Sequence, residues 1–109
     1  MFGFGKSHNE ITPAELHDRL AAGTVTLIDV REPDEFAAEH IAGAINMPLS
    51  KFDAAAVPVT PGKTTILQCA GGKRSGMALD RCATAQAAID THLGGGLGAW
   101  KAIGLPTVR

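Results

Sequence analysis

Thr64-Thr65-Ile66-Leu67-Gln68-Cys69-Ala70-Gly71-Gly72-Lys73-Arg74-Ser75 reads as a strand, a tight loop and the opening of a helix. The first five residues are a short β-type run. Two glycines then let the backbone curl and turn its N–H groups inward. From Ser75 a helical pattern runs to residue 88, with Ala78, Leu79, Cys82 and Gln86 on one face. Cys69 stands at the carboxyl end of the strand. A helix N-terminus brings partial positive charge and free N–H donors to that point. Lys73 and Arg74 bring full charges. Each of these favours a thiolate over a thiol, and the thiolate is the nucleophile. The same groups suit an anionic substrate. Cys82 reads as a small apolar core residue.

Upstream, Thr12, Pro13 and Glu15 form a helix-opening signal, and Gly23 closes that helix after residue 22. His17 and Asp18 fall on its solvated face. Val25-Thr26-Leu27-Ile28-Asp29-Val30 is nearly continuous and apolar, as in a strand covered on both faces of a parallel sheet. Pro33 starts a short helix over residues 33–39, with Asp34 and Glu35 in its first turn. Residues 44–47 read as a short strand stopped by Pro48. Residues 49–56 hold a helical turn with Ser50 as its cap, and prolines punctuate residues 57–62.

Downstream, residues 88–93 are a further strand. Gly94-Gly95-Gly96 is a turn, and a last helix covers residues 97–103 before Gly104 and Pro106. Trp100 belongs to the core or its edge. Alternating strands and helices with short links define an α/β fold with an open parallel sheet. Ligands of such sheets sit at the carboxyl ends of strands, where Cys69 is.

The chain has 109 residues, enough for one domain with its own core. Residues 1–9 read as a flexible segment and 10–109 as the domain. A net charge of −1 argues against nucleic acid as a partner. No apolar run has the length of a membrane span, and the N-terminus lacks the pattern of a secretory signal. Two cysteines do not make a disulfide framework, and a free reactive thiol suits a reducing, cytoplasmic setting. Pro61-Gly62-Lys63-Thr64 lacks the earlier glycine of a phosphate loop, because position 57 is Val, and it precedes a strand. Gly5-Lys6-Ser7 follows no strand. The glycines at 94–98 miss the last glycine of a dinucleotide fingerprint. The four histidines are scattered and no metal site is expected.

Cys69, Gly72, Arg74 and Ser75 together resemble the Cys-x-x-Gly-x-Arg-Ser loop of the rhodanese family of sulfurtransferases. Related phosphatases of similar fold place the arginine one residue later, so the shorter loop fits sulfur better than phosphate. Two more blocks carry the likeness. One is Asp29-Val30-Arg31-Glu32 with Glu35-Phe36 and the run from His40 to Leu49; the other is Gly95-Gly96-Leu97-Gly98-Ala99-Trp100 with Gly104-Leu105-Pro106. Glu39 and Ala42 depart from the common Gly and Pro of the family.

The resemblance implies a five-stranded, mainly parallel sheet flanked by helices, and a cysteine that carries sulfur as a persulfide. It implies a relay in which Cys69 takes sulfur from a donor such as thiosulfate and passes it to cyanide or a thiol, with no cofactor beyond the covalent intermediate. Ala70, Gly71, Gly72, Lys73, Arg74 and Ser75 would form the anion-binding loop. Arg74 would orient the donor or brace the loop, and Lys73 would steer the donor. Asp29 is expected to hold Arg74 or a backbone group, Arg31 to pair with Glu32, and His40 to be structural. A thiolate stabilised by its loop needs no histidine base. Alternatives are a non-turnover persulfide carrier or docking module with a protein donor or acceptor, and a phosphatase or arsenate reductase using the same thiolate.

Overall fold

The structure is a computed structural model and describes residues 8–109. Five strands form one sheet: β1 (Asn9–Ile11), β2 (Val25–Asp29), β3 (Ile45–Asn46), β4 (Thr64–Gln68) and β5 (Thr91–Leu93). Their order is β1-β5-β4-β2-β3 and every pairing is parallel. Four helices accompany them: α1 (Pro13–Ala22), α2 (Pro33–Ala38), α3 (Lys73–Thr84) and α4 (Gly96–Ala102).

Successive strand residues point to opposite faces, and here both faces are covered. Leu27 and Ile66 face a core completed by Leu16 of α1 and by Leu97 and Trp100 of α4. Ile28 and Leu67, one residue on, face the other core, with Ala78, Leu79 and Cys82 of α3. Two covered faces explain why β2 reads as a nearly unbroken apolar run, and why Thr65, Ile66, Leu67 and Gln68 of β4 are all buried.

β2 and β4 pair in full register, Val25 with Thr64 through Asp29 with Gln68, so both end at one level. The chain leaves β4 toward β5 and leaves β2 toward β3, on opposite sides. The crevice between these two ends is the switch point of the sheet. Cys69 on one side and Asp29 with Arg31 on the other flank it.

The capping signals at Thr12 form as read: the Thr12 hydroxyl accepts from the Glu15 N–H at 3.2 Å and the Glu15 carboxylate accepts from Thr12. Several boundaries differ from the sequence reading. The flexible-segment reading of residues 1–7 lies outside the described residues, but Asn9 is in a strand, its N–H donating to the Asp90 carbonyl. Residues 49–56 form two separate 3-10 turns. Asp53, not Ser50, caps the second, accepting from the Ala55 N–H at 3.0 Å. α3 starts at Lys73, two residues before Ser75, because Gly72 supplies the left-handed N-cap at φ 107°. α3 stops at Thr84, with Gln86 left-handed at φ 58°, so Gln86 is not on its face.

Candidate active site

The Gly72 N–H donates to Cys69 Sγ at 3.0 Å. Ser75 Oγ lies 3.4 Å from the same sulfur. Burial pushes the thiol up. The Ser75 hydroxyl and the N–H groups of Ser75, Gly72 and Gly71 outweigh that, so Cys69 titrates below an ordinary thiol. Cys69 is nonetheless only 1% exposed. Ala70 and Gly71 are exposed outside it, and Lys73 extends into solvent.

α3 opens with two cations and no acidic residue, which opposes the helix dipole unless an anion sits at its N-terminus. A Cys69 thiolate is such an anion. Arg74 has a second compensation. It donates to both carboxylate oxygens of Glu35, at 2.7 and 3.0 Å. The guanidinium, against some penalty from burial, holds the Glu35 carboxyl down to about 2. Of the two roles read for Arg74, the structure shows the brace: it ties the loop to α2.

The Asp29 and Arg31 expectations change. Asp29 does not reach Arg74. It accepts from the Arg31 backbone N–H at 2.9 Å, so the backbone alternative is the one observed, and it also binds the Arg31 side chain at 2.7 Å. Arg31 donates onward to the carbonyls of Glu35 and Glu39, fastening α2. Glu32, the expected partner of Arg31, instead accepts from the Ser50 backbone and hydroxyl. The pair is a buried structural brace, with both residues at 4% exposure or less. His40 stacks on Phe36 and bonds its carbonyl at 2.7 Å, a partner the sequence did not reveal.

α4 holds the loop from the far side. The Leu97 N–H donates to the Cys69 carbonyl at 2.8 Å and the Gly98 N–H to the Ala70 carbonyl at 3.0 Å. A Cβ at Gly96 would stand 2.5 Å from the Cys69 carbonyl oxygen. That residue has φ +60°, so both space and conformation require glycine.

His92 was missed. It sits on β5, 5% exposed, with Nδ1 2.7 Å from Ser75 Oγ. Its Nε2 lies 3.5 Å from a carboxylate oxygen of Glu10 on β1. No local signal links positions 10, 75 and 92; the parallel pairing of β1 with β5 sets Glu10 beside His92, and α3 brings Ser75 to the same ring. Glu10 and His92 border a cleft of about 510 Å³ whose walls also include His8, Lys73, Met77 and Asp80.

Residues 12–103 match the rhodanese-like domain, and the chain belongs to that family. It is 31% identical over 101 residues to a sulfurtransferase of Allochromatium vinosum, covering 92% of this chain and 94% of that one. An uncharacterised Synechocystis protein is 46% identical over 99 residues, covering 91% of this chain; the chain spans only 55% of that protein. The crystal structure of a rhodanese-related protein from Thermoplasma volcanium superposes with a TM-score of 0.78 at 30% identity, covering 93% of this chain and 98% of that one. The open parallel sheet and its flanking helices are thus those of the rhodanese-like fold.

Proposed function

We propose that this chain is a thiosulfate-type sulfurtransferase working through a persulfide on Cys69. The observation that carries the reading is the donor set on one sulfur: the Gly72 N–H at 3.0 Å and the Ser75 hydroxyl oxygen at 3.4 Å. The Cys69 thiolate attacks the outer sulfur of thiosulfate. A new S–S bond forms, the old one breaks, and sulfite leaves with the electron pair. The terminal sulfur of the persulfide carries the negative charge. Cyanide or a thiolate then attacks that outer sulfur and Cys69 leaves as thiolate. The loop N–H groups suit the anionic sulfur in both steps. Of Lys73 and Arg74, Lys73 is the one exposed to an incoming anion, since Arg74 is engaged by Glu35.

At 1% exposure Cys69 offers a donor almost no open path in this conformation, so the groups around it must move before a donor reaches the sulfur. This favours a second reading, a carrier whose loop is opened by a protein donor or acceptor. Intact mass after incubation with thiosulfate tests the first step: one added sulfur on the parent, none on Cys69→Ser. A label on Cys82 would overturn the assignment. Thiocyanate production with cyanide then separates turnover from a carrier that loads and does not discharge.

A further inference from the structure

We propose that Ser75 and His92 form a proton route from the buried Cys69 thiol to the cleft beside β1 and β5, with His92 as a positioning residue acting through Ser75. The inference deepens the sulfur-transfer reading, which needs a thiolate at a position almost closed to solvent.

The geometry is a chain of short steps. Sγ to Ser75 Oγ is 3.4 Å, Oγ to His92 Nδ1 is 2.7 Å, and Nε2 to Glu10 is 3.5 Å. Ser75 is fully buried and His92 nearly so, whereas the Glu10 side chain is 62% exposed. The route therefore starts inside and ends in solvent. Position 76 is glycine, and a Cβ there would reach His8 at 3.4 Å and His92 at 3.9 Å, so no side chain comes between α3 and the two imidazoles.

The Ser75 hydroxyl has one proton and also lies 3.2 Å from the Gly72 carbonyl, but the nearer acceptor is His92 Nδ1 at 2.7 Å. In the thiol state the S–H faces Oγ, the Ser75 hydroxyl donates to Nδ1, and the Nε2–H faces Glu10. In the thiolate state two protons have each moved one place: the thiol proton to Oγ and the hydroxyl proton to Nδ1. The Ser75 hydroxyl then donates to the thiolate, and the imidazolium donates to Oγ and faces Glu10. Release of the Nε2 proton to Glu10 or to cleft water leaves a neutral His92 and a thiolate. Atoms and charge balance at every stage.

The charged groups around His92 come from β1, from the residue before it and from α3. Glu10 is on β1. His8, just before β1, meets the His92 ring edge-on at 5.7 Å. Lys73 and Asp80 of α3 line the same cleft, and Asp80 lies 3.3 Å from His8. At the sulfur end Arg74 is held by Glu35. Burial pushes His92 below an ordinary histidine; Glu10 pulls it up and His8 adds to the lowering. Burial and His8 thus favour the neutral ring, and Glu10 favours the charged one.

The test is the pH profile of Cys69 alkylation by iodoacetamide on the full chain, with peptide mapping and without a sulfur donor. His92→Asn keeps a hydrogen-bonding group without a titrating ring. Its alkylation at pH 7 should fall at least about tenfold, with its profile displaced to higher pH and imidazole in solution restoring part of the rate. An unchanged rate and profile in a folded His92→Asn overturns the proposal. A measurement on an unmodified ring covers a variant that fails to fold. The His92 titration, followed by NMR, should move when Cys69 is changed to Ala, and an unmoved titration also overturns it. Neither readout uses sulfur transfer, so loss of persulfide loading would refute the proposed function and leave this result standing.

Discussion

Cys69 and Cys82 stand on opposite sides of a single comparison. Both are buried, at 1% and 0% exposure, and both border the same core of Ile28, Leu67 and Ala78. Burial alone pushes Cys82 above an ordinary thiol, while Cys69 lies below one. The difference is thirteen residues of chain and a handful of N–H and O–H donors. Depth does not decide whether a thiol is reactive; the polar groups within reach of the sulfur do.

The sharpest way to break the contrast is to exchange the sulfur for oxygen. Cys69→Ser should lose thiocyanate formation from thiosulfate and cyanide by at least about a thousandfold, with its melting curve little changed. Next comes Gly96→Ala, which drives a methyl into the Cys69 carbonyl and should cost about 2–3 kcal/mol in urea unfolding, with loss of the lowered Cys69 titration. Cys82→Ala should cost about 1–2 kcal/mol through the cavity it leaves, with sulfur loading retained. A loss of loading there would dissolve the contrast.

The smallest effect is at Glu35→Gln. Because the Glu35 carboxyl is held down to about 2, it contributes stability above its ordinary value of 4.5. That contribution fades as pH falls from 4.5 toward 2. The pair is about one-third exposed, so solvent screening limits it to about 1 kcal/mol or less. Urea melts at pH 7 and pH 3 should show the parent losing slightly more than the variant between them.

What was legible follows the range of the forces involved. The ends of α1 could be read because Thr12, Pro13, Glu15 and Gly23 act on their own neighbours. β4 could be read to the residue because its β-type run is bounded by Pro61-Gly62 and by the loop. β1 is three residues long with one apolar member, Ile11, and only its pairing with β5 makes it a strand. The end of α3 carries no glycine, so Gln86 took the left-handed turn unannounced. At the site, Cys69 and its loop were readable because the motif is contiguous. The partners of Arg74 and Ser75 were not, because Glu35 lies 39 residues away and His92 17.

The grip of α4 on the carbonyls of Cys69 and Ala70 has a consequence for how the chain is made. A ribosome delivers the nucleophile well before it delivers Leu97 and Gly98, whose amides hold those carbonyls in place. Until those two amides arrive the Cys69 and Ala70 carbonyls lack that hold, and a truncation ahead of residue 96 carries the cysteine without the clamp.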